Sequence, residues 1–129
     1  KIIDNSGFLV DIGNLNIVFE SDNISKEYVE YIGEKLNIHP QFKDGINVQV
    51  VRIIDKNNII IEAYERGVGY TLASGTSIIS VCLTYESELD KIVNVHTPGG
   101  ICTFNFQKKR LFTNVFKICE GEITNSLIE

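Results

Sequence analysis

Between Thr76 and Tyr85 the chain reads TSIISVCLTY, apolar on nearly every side and without a charged face. A helix of that kind has no side it can turn to water, so the rest of the chain must cover it. It is far shorter than the roughly 20 apolar residues of a membrane span. The expectation is a helix buried inside a domain, with strands wrapped around it.

Strands are plentiful. GFLVDIGNLNIVFE places β-branched and aromatic residues on both sides of a Gly-Asn turn, and INVQVVRII and IIIEAYE are joined across DKNN. KIVNVHT, ICTFNF and LFTNVFKI follow, turning on Pro98-Gly99-Gly100 and on the basic QKKR. SKEYVEYIGEKL is a second, amphipathic helix: Val29, Ile32 and Leu36 share one face, Ser25 suits the N-cap, and Pro40 disfavours helix at His39. The predicted fold class is α+β, with antiparallel hairpins forming a sheet around one buried central helix and a second helix outside.

At 129 residues, 43% of them hydrophobic, the chain can bury one real core. A net charge of −5 argues against nucleic acid or an anionic membrane as a partner, since both require a basic surface. Cys82, Cys102 and Cys119 are odd in number and lack metal-binding spacing, which suggests reduced thiols in a cytoplasmic protein and no metal site. The first residues show neither a starting methionine nor a signal peptide's apolar core, as expected of a fragment.

The stretch ahead of the buried helix, ERGVGYTLASGTS, concentrates the chemistry. A helix start leaves backbone N–H groups unpaired and adds partial positive charge, so Gly75, Thr76 and Ser77 can form an anion site. The same residues can equally serve only to cap a structural helix. Glu65 and Arg66 can be a surface pair closing a strand, or the second pole of a pocket for a zwitterion, because Arg suits bidentate carboxylate recognition.

Glu65 to Ser77 resembles the ERGxGETLACGTG signature of diaminopimelate epimerase, type member of the cofactor-independent amino-acid racemases. Gly13-Asn14-Leu15-Asn16 is similar to the family's GNPH, His39-Pro40-Gln41-Phe42 to HPxF and Ile46-Asn47-Val48 to TNV. Thr97 to Gly100 is similar to its PGG turn and Glu120 to Ile123 to its closing EGEI. The resemblance implies two pseudo-symmetric halves, each a sheet around a central helix, with the active site between them. It implies conversion of LL- to meso-diaminopimelate, for lysine and cell-wall synthesis, without any cofactor. One cysteine from each half works on opposite faces of the α-carbon. This chain corresponds to the second half, with 1–116 as the domain and 117–129 as a tail returning to the absent first domain.

By the same resemblance, Gly75 and Thr76 cradle the α-carboxylate, while Asn14, Asn47, Glu65 and Arg66 face the distal end of an amino-acid substrate. Ser74 stands at the catalytic cysteine's position and Glu65 at the glutamate that assists proton transfer. Asn16 stands in place of the GNPH histidine, and Tyr70 and Ser77 replace a glutamate and a glycine. A serine hydroxyl is a far weaker acid than a thiol of pKa about 8.5, so Ser74 is no resting base. The readings left open are a diaminopimelate epimerase, an isomerase of another amino acid with Tyr70 and Asn16 reshaping the pocket, and a non-catalytic amino-acid-binding homologue. The partners implied are the small amino acid and the missing domain, with no membrane, and a homodimer is left open.

Overall fold

The structure, a computed structural model, describes residues 6–122. Strands β1 (Phe8–Asp11) and β2 (Leu15–Glu20) form a hairpin, and helix α1 (Lys26–Asn37) then leads to strand β3 (Asn47–Asp55). Strand β4 (Asn58–Glu65) returns beside β3, and the short strand β5 (Gly69–Thr71) turns back on its end. Helix α2 (Gly75–Thr84) precedes β6 (Ile92–Thr97), β7 (Gly100–Asn105) and β8 (Arg110–Phe112). All eight strands join one sheet in the order β1-β2-β3-β4-β6-β7-β8, with β5 on β4.

Two joins correct the expectation of antiparallel hairpins throughout. β2 pairs with β3 in parallel, and so does β4 with β6, each pair connected through a helix. A parallel neighbour cannot be reached by a tight turn, so the helices are the crossovers. β5 and β6 share one edge of β4: Glu65, Tyr64 and Ala63 pair with β5, and Asn58 to Ile60 with β6.

The two helices cover opposite faces. Val29, Ile32 and Leu36 of α1 pack with Ile17, Phe19, Val48 and Val50. Ile78, Val81, Cys82 and Tyr85, on and just after α2, pack with Val18, Val51, Ile59, Ile61, Val93, Val95, Cys102 and Phe104. Coverage on both faces explains why β2 and β3 are apolar without alternation. α2 is less enclosed than its composition suggests: Gly75, Thr76 and Leu83 are exposed.

α1 begins as expected, with the Ser25 side chain accepting from the Tyr28 N–H at 3.2 Å. The expected last strand is shorter than LFTNVFKI, ending at Phe112, and 113–122 are exposed and without regular structure. The final residues of the expected tail, 123–129, lie outside the described residues. Among the described residues no helix is long and apolar enough to cross a membrane.

Candidate active site at the start of helix α2

Period-two alternation along β4 puts Ile59, Ile61 and Ala63 on the α2 face, and Glu65 continues that series. Ser74, the N-cap of α2, has extended backbone (φ −139°, ψ 123°), which aims its side chain back across the helix start. The two meet: Ser74 Oγ donates to Glu65 Oε2 at 3.1 Å. Ser74 Oγ also accepts, at the long distance of 3.5 Å, from the Ser77 N–H. A carboxylate only accepts, so with the Ser74 proton on Glu65 the Thr76 hydroxyl, 3.4 Å away, is the donor of that pair. α2 has no acidic side chain in its first turn, which leaves Glu65 as the anion facing this terminus.

Gly75 and Thr76 are open to solvent, and a Cβ added at Gly75 would meet only Leu111 Cδ2, at 3.7 Å. The crevice behind them, lined by Thr71, Ser74, Ser77 and Thr97 among others, is too tight for water. A ligand at this terminus therefore sits outside it.

The remaining expected site residues cluster at the same ends of the strands, mostly already engaged. Asn47 is buried, pairs across the sheet with Asn16, and its Oδ1 accepts from the Arg66 N–H at 2.9 Å. Arg66 is exposed, with Nη1 donating to the Asp44 carbonyl at 3.3 Å. Asn14 is half-buried, and its side-chain and main-chain oxygens both accept from Asn16 Nδ2, at 3.1 and 2.8 Å.

Two residues credited with reshaping the pocket do not reach it. Tyr70 packs on the opposite face with Tyr28 and Tyr64, against α1, with Lys26 Nζ 5.1 Å above its ring. Burial first, and Glu62 second, push its hydroxyl up to about 12. Asn16 is wholly buried, with its Oδ1 accepting from Gln49 Nε2 at 3.0 Å. Gln49, buried behind the site and bonded to Asn16 and Ser77, was not expected there. Its signal was a polar residue inside the buried run Val48-Gln49-Val50-Val51.

Of the cysteines, Cys82 and Cys102 are buried and Cys119 is exposed; burial pushes the Cys82 thiol up to about 12. A groove of about 780 Å³ lies at the far ends of β2 and β3 between Glu20, Asp22 and Arg52. It is remote from Ser74 and has no part in this site.

The start of α2 thus holds a hydroxyl against a carboxylate, on a sheet with two parallel joins. The family model for diaminopimelate epimerase matches residues 8–116, and the chain belongs to that family. The diaminopimelate epimerase of Buchnera aphidicola is 40% identical over 77% of this chain and 35% of its own length. Those of Coxiella burnetii and Legionella pneumophila are 35% and 34% identical, over 77% and 70% of this chain and 37% and 34% of theirs. The chain thus spans about a third of the length of these curated relatives. A crystal structure of a Bacillus anthracis phenazine biosynthesis protein of the PhzF family shares the fold. It has a TM-score of 0.54 and 16% identity over 74% of this chain and 31% of that one.

Proposed function

We propose that this chain is the C-terminal half of an amino-acid epimerase that works without pyridoxal phosphate, with α2 as the central helix of the half and diaminopimelate as substrate. The observation that carries the reading is the hydrogen bond from Ser74 Oγ to Glu65 Oε2 at the N-terminus of α2. Removing an α-proton needs a base aimed at the carbon and a stabilised carboxylate beside it. The free N–H groups at Gly75 and Thr76 and the helix dipole supply the second need. Protein packing does not demand glycine at position 75, whereas close approach of a carboxylate to the backbone does.

The first need falls to Glu65 acting through Ser74. As the substrate C–H bond breaks, Ser74 Oγ takes the α-proton and passes its own to Glu65 Oε2. The electron pair stays on the α-carbon and spreads into the carboxylate. Ser74 ends neutral and Glu65 protonated, and a group on the other half returns a proton from the opposite face. Asn14, Asn47 and Arg66 are assigned to the distal amino and carboxylate groups, and 117–129 to the contact with the other half.

The test is α-proton exchange of diaminopimelate in deuterated water by the longer protein that contains this half. Exchange is expected, and Glu65→Gln should lower its rate roughly 10²–10⁴-fold, the usual contribution of a positioned acid or base. The 129-residue chain alone should give none. Binding of diaminopimelate without exchange in the longer protein would overturn the catalytic reading in favour of a non-catalytic amino-acid-binding homologue. One observation favours that second reading: Asn16, sealed between Asn14 and Gln49, presents no titratable group to a ligand.

A further inference from the structure

We propose that Gln49 is a positioning residue, a buried amide clamp that ties β2 and β3 to the first turn of α2 and so holds Ser74 against Glu65. Gln49 is fully buried, and its Nε2 donates to Asn16 Oδ1 at 3.0 Å and to Ser77 Oγ at 2.9 Å. Ser77 in turn offers its backbone N–H to Ser74 Oγ. The proposal rests on the reading of Ser74 and Glu65 as the proton-transfer pair.

The direction of every bond in this chain follows from one fixed acceptor. The main-chain oxygen of Asn14 can only accept, so the Asn16 amide must turn its Nδ2 toward it. Asn16 Oδ1 then faces Gln49 and requires a donor, which sets the Gln49 amide with Nε2 inward. The second Nε2 hydrogen is committed to Ser77 Oγ, which accepts. The cluster has a single consistent arrangement, and it runs from the loop before β2 to the start of α2.

Gln49 Oε1 is buried without a partner. A bare buried acceptor is destabilising, and an apolar residue of similar size would avoid it. Stability alone therefore does not account for glutamine here, whereas a need to aim two donors does. Two positions where the chain departs from the family signature, Asn16 and Ser77, are the two acceptors of this one side chain. They form a single rewired unit.

The test compares Gln49→Met with the unaltered protein by hydrogen exchange on the 129-residue chain and by α-proton exchange in the longer protein. Amide protection at Ser77 and Ile78 should fall roughly tenfold, what one lost hydrogen bond is worth, while Val48 and Val50 keep theirs. The saturating rate of α-proton exchange should fall by a similar factor with half-saturation unchanged, because the amides of Gly75 and Thr76 still hold the carboxylate. If Gln49→Met does not fold, Ser77→Ala removes the same bond from the helix side and must give the same pattern. Protection lost equally in β3 and α2, or unchanged in α2, overturns the proposal. If the unaltered longer protein exchanges no α-proton, the functional reading falls while the protection pattern still decides the role of Gln49.

Discussion

Ser74→Cys would put a thiol at the N-terminus of α2, where two fields of opposite effect meet. The helix end favours a thiolate by about 0.3–1 kcal/mol at an exposed site and up to about 2 kcal/mol in a partly buried one. The Glu65 carboxylate, 3.1 Å from the present hydroxyl, opposes it. At that separation two like charges repel by roughly 5 kcal/mol at an effective dielectric of about 20, and by about 1 kcal/mol in bulk water. Both side chains are half-buried, so the effective value lies between these limits and repulsion wins. With a repulsion near the middle of that range, roughly 3 kcal/mol, less about 1–2 kcal/mol from the helix end, and about 1.4 kcal/mol per pKa unit, the new thiol should titrate roughly one unit above the ordinary 8.5 or so. Adding Glu65→Gln should bring it below that value. The assay is the pH dependence of alkylation by iodoacetamide in a Cys119→Ser background, since Cys119 is the exposed cysteine. A thiolate at neutral pH with Glu65 in place, indifferent to Glu65→Gln, would refute the reasoning. It would mean that the helix terminus, not the carboxylate, governs proton affinity at this position.

Burial pushes Cys82, Tyr70 and Tyr85 up to about 12, from 9.0 for the thiol and 10.0 for the phenols. The folded chain keeps these protons where the unfolded chain has begun to release them, so stability should fall as pH rises from about 9 to about 12. Urea unfolding across that range would show it, and a flat stability would contradict it. Gly33→Ala should destabilise the fold, because the new Cβ would lie 2.2 Å from Tyr64 Cγ, in a ring held under α1. Overpacking of this kind costs about 1–3 kcal/mol, against roughly 1 kcal/mol gained in helix propensity. A higher urea midpoint for the variant would show that the ring yields.

Much of this fold is legible in local pattern. α1 carries its own cap, its apolar stripe and the proline that follows it, and the β3–β4 hairpin carries Asp55 and Asn58 at its turn. The parallel joins are not legible, because which strand lies beside which depends on the packing of both helices and not on any one segment. β5 hides among glycines, where three residues pair only because β4 extends past β6. The segment after Phe112 has a strand's composition but no regular structure. At the site, the Gly-rich stretch marks Ser74 and Glu65 as candidates, but their hydrogen bond is read only from the structure, where helix start and strand end lie a short loop apart. The burial of Asn16 was not foretold. A residue's exposure at a strand end is set by what crosses above it, and here Gln49 comes from a strand far along the chain.

The parallel joins also bear on how the site comes into being. Each antiparallel hairpin closes a short loop and can form locally, on the microsecond scale typical of such units. Asn16 and Asn47, or Asn58 and Asn94, become neighbours only after a whole helix has been spanned, with the larger loss of chain freedom that such a closure entails. The polar cluster lies across the first of these joins, and α2 lies within the second. Ser74 and Glu65 meet across a short local loop, but the Asn14, Asn16, Gln49 and Ser77 cluster behind them is assembled where the chain has least local help, at the slow seams between units that fold quickly. Its side-chain bonds act as the fasteners of those seams.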